Sequence, residues 1–209
     1  MRRSVRSGAI AFCVLLVVGC SQQKNAVKPA AQVPQEAAAA AVGVLQKLVN
    51  EQNYKGLGFQ TMDEVKQAQL GQPMDVFYLS LERMESYQAG EDLNSLLTSS
   101  AEMIYPVMVG GSVRTGVTIV QKGQGYESSS FGNADIVKRL AAYRSGPRDF
   151  AVRIPAFNLY FVGRQEETRV ILVPIANNPR LKAQAGEATP LDVVFGQLRP
   201  YVDSYDGRP

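Results

Sequence analysis

Residues 102–131 constrain the fold of this chain more than any other stretch. Between Ser112 and Lys122, Val113, Thr115, Val117 and Ile119 alternate with Arg114, Gly116 and Thr118. A period of two puts one set of side chains on a covered face and the other on the opposite face, which is the signature of a β-strand. Gly110-Gly111 precedes the segment and Lys122-Gly123-Gln124-Gly125 follows it. Glycine tolerates the left-handed backbone that tight hairpins need. The segment therefore predicts an antiparallel meander: a strand over Glu102–Val109, a second over Ser112–Lys122 and a third over Tyr126–Phe131. No phosphate-binding loop is expected from these glycines, because the strand–loop–helix setting and the Gly-Lys-Ser/Thr ending are absent.

Helical periods flank the meander. Glu36–Asn53 is expected to be a helix, with Ala37–Ala41 supplying propensity and Val42, Leu45, Leu48, Val49 and Gln52 following its face. Thr61 and Glu64 have the spacing of a capping box opening a short helix over Met62–Leu70. Met74–Ser80 reads as a strand, and Glu91–Ser100 as a loop with a helical turn. Asn133 is expected to cap a helix bearing Ile136, Val137, Leu140, Ala141 and Tyr143. Further strands are expected over Phe150–Ile154, Phe157–Gly163 and Thr168–Ile175. Thr189-Pro190 would open a last helix with Val194, Leu198 and Tyr201 inward, which Pro200 would kink or end. Strands in hairpin order interrupted by single helices predict an α+β fold. The expected architecture is a mainly antiparallel sheet of about six or seven strands, with three to four flanking helices, in one domain over residues 36–209.

The N-terminus carries a different signal. Arg2, Arg3 and Arg6 precede an uncharged, largely apolar run of about 12 residues from Gly8 to Gly19. That is short of the roughly 20 needed to span a hydrocarbon core, and it reads as an export signal. Val17-Val18-Gly19-Cys20 resembles the lipobox of bacterial lipoprotein precursors. The resemblance implies cleavage between Gly19 and Cys20 and lipidation of the Cys20 sulfur. It divides the chain into a signal peptide at residues 1–19 and a lipidated cysteine with a flexible tether at residues 20–35. It also implies anchorage in the bacterial cell envelope. Ser21, where a retained inner-membrane lipoprotein carries Asp, implies the outer membrane in a Gram-negative host. Fifteen polar, proline-bearing residues after Cys20 would span on the order of 20 Å.

Composition then narrows the chemistry. Removing the signal takes away three arginines and leaves as many basic as acidic residues. No electrostatic footprint for nucleic acid survives that cancellation. The remaining charge is uneven: the first half is acid-rich, and the second carries the Lys138, Arg139, Arg144, Arg148, Arg153, Arg164 and Arg169 series. There is no histidine, and Cys13 leaves with the signal while Cys20 is used by lipid. Histidine-dependent nucleophile systems are thereby excluded, as are nearly all zinc sites. No catalytic residue, metal or cofactor is expected. Asp63 with Glu64, Ser128–Ser130, and Asp203 with Asp206 read better as a cap, a solvated strand and a chain end.

Three functional readings remain. The first is a non-enzymatic lipoprotein that binds another envelope component or forms part of an assembly, its membrane contact being the lipid on Cys20. The second is a small-ligand-binding or sensing domain using Arg153, Tyr160 and Arg164 with neighbouring aromatics, since guanidinium and aromatic groups together suit a carboxylate. The third is a carboxylate-based hydrolase. A concavity bearing Arg153 or Arg164 would favour the second, and a broad exposed apolar patch the first.

Overall fold

A computed structural model of the chain describes residues 33–205. The expected signal peptide, Gly19, Cys20, most of the tether and Asp206 lie outside the described residues.

The fold is α+β, built on one mixed, mostly antiparallel sheet of nine strands with five helices. Helix α1 spans Pro34–Leu48, with its proline in the first turn where a missing N–H costs nothing. It therefore starts before Glu36, within the expected tether, and stops short of Asn53. The early stop has a local cause. The Asn53 side chain donates to the Leu48 carbonyl at 3.0 Å and accepts from the Asn50 N–H at 2.8 Å. Asparagine amides here compete with the helical ladder and win. Leu48, expected inward, is 54% exposed, while Val49 turns into the core.

Helix α2 (Met62–Lys66) is capped by Thr61, whose hydroxyl accepts from the Glu64 N–H at 3.3 Å. It ends before Leu70 because Gln69–Leu70 forms a two-residue strand, β1, paired with β3. Strand β2 covers Met74–Leu79. Helix α3 (Leu81–Ser86) was not anticipated; the Ser80 hydroxyl caps it and Met84 is buried beneath it. The meander is present as β3 (Leu97–Val109), β4 (Ser112–Lys122) and β5 (Gly125–Gly132). Its first strand begins inside the stretch expected to be a loop.

Helix α4 (Ala134–Tyr143) follows, and then β6 (Phe150–Ile154), β7 (Leu159–Glu166) and β8 (Arg169–Pro174). Asn133 occupies the cap position of α4, but its side chain makes no capping bond. Thr189–Pro190 is not a helix cap and first residue. It is strand β9, where Thr189 pairs with Leu172, and α5 begins at Leu191. Pro200 sits within the last turn of α5 (Leu191–Val202), and the helix continues past it. Tyr201 is 36% exposed rather than inward; Leu191, Val194, Phe195, Leu198 and Val202 form the buried stripe.

The strand order is β5-β4-β3-β2-β6-β7-β8-β9, with β1 on β3. β2 and β6 run parallel, and the other named pairs are antiparallel. Alternation assigns the two faces. Leu79, Val152, Ile154, Phe161 and Leu172 pack with α3 and α5, and Val107, Val117 and Ile119 pack with α1, all on one face. Met74, Val76, Ala151 and Val162 point to the other, where α4 supplies Leu140. A Cβ on Gly116 would lie 2.6 Å from Val137, so the bare backbone there sets how closely α4 seats on β4. Among the described residues no helix is long and apolar enough to cross a membrane.

One core residue works against this packing. Thr115 is fully buried opposite Val107, and its hydroxyl has no hydrogen-bond partner. An unmet buried hydroxyl costs roughly 1–3 kcal/mol. Thr115→Val, nearly the same shape, is expected to raise stability by about 1 kcal/mol. Urea unfolding would read this as a higher midpoint at unchanged slope.

Candidate functional site

The crossover from the β5 edge to β6 carries α4 across the middle of its sheet face. Its first turns and the strands beneath leave a cavity of about 100 Å³. The strand floor is apolar, formed by Val76, Ile104 and Ala151, and α4 sets Val137 over it; Thr118, Ser130 and Asn133 also line the space. Two charged side chains line it, Arg153 and Glu102.

Arg153 reaches this face by alternation in β6, where Val152 and Ile154 take the opposite face. Its antiparallel partner is Tyr160 on β7, and its parallel partner is Tyr78 on β2. The guanidinium carbon lies 5.5 Å from the centre of the Tyr160 ring. Such a contact contributes about 0.5–1 kcal/mol where exposed and more where dry. Arg153 makes no ion pair among the described residues, and its buried Nε has no hydrogen-bond partner. The Tyr78 hydroxyl donates to Glu102 Oε2 at 2.8 Å. Burial pushes the Tyr78 phenol above its ordinary pKa, and the Glu102 carboxylate pushes it further, while Arg153 acts in the opposite direction.

A second, larger concavity of about 330 Å³ adjoins the first, with Ile136 and Tyr160 lining both. It lies between α4 and the β7–β8 strands, with Arg139, Phe157, Leu159 and Pro174 on its walls. The two lie side by side along the first half of α4, a region termed the groove.

Of the sequence candidates, the fold brings Arg153 and Tyr160 together and leaves Arg164 apart. Arg164 is on the same face of β7 but four residues further along, or roughly 13 Å. It is committed to Asp149, with Nε and Nη2 both 3.4 Å from the carboxylate oxygens. Phe157 lines the larger concavity and stacks edge-on with Tyr205. The rest of the basic series is partly spent internally. Arg139 donates to the Ile175 carbonyl, and Arg144 donates to the carbonyls of Gly146, Gln72 and Pro147. Burial pushes the Arg144 pKa down, and Asp149 partly restores it.

The other candidates have structural roles. Glu64 is held by Arg114 in a two-pronged ion pair with distances of 2.7–3.1 Å, and also accepts from the Gln60 N–H at 2.7 Å. Asp63 pairs with exposed Lys66, and Asp203 with Arg199. Ser128 and Ser129 are exposed on β5.

Sequence reasoning missed Tyr78 and Glu102. Their signal was faint but real: Val76 and Tyr78 on β2, and Glu102 and Ile104 on β3, share one face by alternation. No protein-family model, curated protein or solved structure matches the chain.

Proposed function

We propose that this chain is a non-enzymatic lipoprotein of the bacterial cell envelope whose α+β domain binds a small carboxylate-bearing ligand in the groove beside α4. The export signal and lipobox support the placement. The observation that carries the binding role is Arg153: a cation stacked on Tyr160, facing a cavity and lacking any carboxylate partner among the described residues. A buried guanidinium N–H without an acceptor costs free energy that a bound anion would recover. A second reading, a docked envelope protein, is favoured by Val44 and Leu48. They are exposed one turn apart on α1, the helix nearest the tether.

Placement has a direct test. Each acyl CH₂ contributes roughly 0.8 kcal/mol of membrane affinity, so two or three chains on Cys20 make release negligible. In the native host, the protein is expected in the membrane fraction with a lipidated N-terminal Cys20. Cys20→Ser should remain unprocessed or appear in the soluble envelope fraction, with no acyl mass on position 20. Wild-type protein carrying Met1 and a bare Cys20 thiol would overturn the placement.

A further inference from the structure

We infer that the groove takes a zwitterion, a free α-amino acid whose carboxylate meets Arg153 and whose ammonium meets Glu102. This rests on the ligand-binding reading and narrows it. A carboxylate alone would enter the cavity beside Glu102, a second negative charge on the same wall system. Like charges so placed repel. A dipolar ligand with no net charge meets both groups at once.

Three features prepare the cavity for such a ligand. Arg153 and Glu102 line one space of about 100 Å³ yet form no ion pair with each other. They stand on β6 and β3 with β2 between them, two strand spacings or roughly 10 Å at the backbone. The Tyr78 hydroxyl stands between them, donating to Glu102 and interacting with Arg153, so the two charges are bridged and not paired; the buried Arg153 Nε and the second Glu102 oxygen are what a group bearing both signs would meet.

The second feature is how Glu102 is aimed. Ala101 adopts a left-handed backbone, with φ 58°, although it is not glycine. The β2–β3 register shifts at this point, between Asp75 and Phe77. The Ser100 hydroxyl pins the bulge by donating to the Val76 carbonyl at 2.8 Å, and it accepts from the Glu102 N–H at 3.2 Å. A bulge re-aims the residue beside it, and left-handed alanine persists only where its surroundings over-determine it. Tyr78 then holds one carboxylate oxygen of Glu102, leaving the other for an ammonium.

The third feature is the apolar floor of Val76, Ile104 and Ala151, which suits the Cα–Cβ portion of an amino acid. The larger concavity on the other side of Ile136 and Tyr160, which line both spaces, lies close enough to receive a side chain.

The test titrates the purified protein calorimetrically with each common L- and D-α-amino acid. The tightest binder is then compared with its N-acetyl derivative, which keeps only the carboxylate, and its amide, which keeps only the ammonium. Free amino acid is expected to bind, with both derivatives weaker by about tenfold or more. Arg153→Gln and Glu102→Gln should each weaken the free amino acid by a similar factor. Glu102→Gln should also erase the preference for the free over the N-acetylated form. Thermal melting checks that each variant folds; if either does not, the derivative comparison on wild-type protein decides. An N-acetyl form binding as tightly as the free amino acid would overturn the zwitterion and leave the carboxylate reading standing. Absence of binding by all amino acids and derivatives would overturn both.

Discussion

Asp149→Ala is expected to lower the unfolding free energy by about 3–5 kcal/mol, among the largest losses available to a single side chain here. Asp149 is 6% exposed and is nevertheless charged and fully engaged. Its carboxylate accepts from the Ser145 N–H at 2.8 Å, the Ser145 hydroxyl at 3.1 Å and the Gly146 N–H at 3.2 Å. Arg164 contributes two longer contacts from β7. One side chain thus joins the turn after α4 to the start of β6 and to its neighbour. Alanine would strand two backbone N–H groups and leave Arg164 with only the more distant Glu166. Asp149→Asn keeps acceptor capacity at one oxygen and should cost less.

Acid provides an independent check on the same carboxylate. Burial alone would raise the Asp149 pKa, but the Ser145, Arg164 and Gly146 donors outweigh it and hold the carboxyl below its ordinary value. A depressed folded-state pKa gives stability that is fully present above the unfolded pKa, about 3.9 for Asp. That stability is lost as pH falls through the folded value. Glu64 acts in the same direction, chiefly through its hydrogen bonds from Arg114. Wild-type protein should therefore lose stability progressively below about pH 4, and Asp149→Ala should lose less over that interval. Urea midpoints at neutral and acid pH measure both quantities. A neutral-pH loss below about 1 kcal/mol would show that the 144–149 turn finds other acceptors.

What the sequence disclosed followed the range of the interactions that encode it. The meander was legible because alternation and glycine turns are local, and its β4 strand matches the expected bounds. The end of α1 was misplaced because Asn50 and Asn53 stop it through side-chain bonds that a hydrophobic period does not register. Strands β1 and β9, two residues each, exist only through their partners on β3 and β8. The two candidate arginines show the same limit at the site. Arg153 and Arg164 look alike in sequence, each beside apolar strand residues. Only the β6–β7 register, which sets Phe150 against Gly163, places Asp149 within reach of Arg164 and leaves Arg153 without a carboxylate partner among the described residues, stacked on Tyr160 and facing the groove. Tyr78 and Glu102 required more still: the non-consecutive order β3-β2-β6 that brings both beside Arg153.

Gly58→Ala is expected to cost on the order of 4 kcal/mol or to prevent folding. Gly58 has φ +95°, a conformation an L side chain rarely adopts. An added Cβ would lie 2.0 Å from the Arg114 carbonyl oxygen and 2.8 Å from the Ala134 Cβ. Neither obstacle is the tip of a flexible side chain. One is the backbone of β4, and the other is the first residue of α4. Relief requires the chain itself to move at the place where Glu64 and Arg114 fasten α2 to β4. Gly56→Ala is the matched control. Its Cβ would meet nothing nearer than the Asn53 carbonyl at 3.5 Å, so it should fall within about 1 kcal/mol of wild type. The displaced residue also links this stability test to binding, because Ala134 opens the helix whose Ile136 and Val137 line the cavity. Any folded fraction of Gly58→Ala should therefore bind amino acid more weakly, whereas Gly56→Ala should bind as wild type does. If Gly58→Ala unfolds within about 1 kcal/mol of wild type, the loop at Gly58 is not seated on β4 and α4 by an approach too close for any side chain.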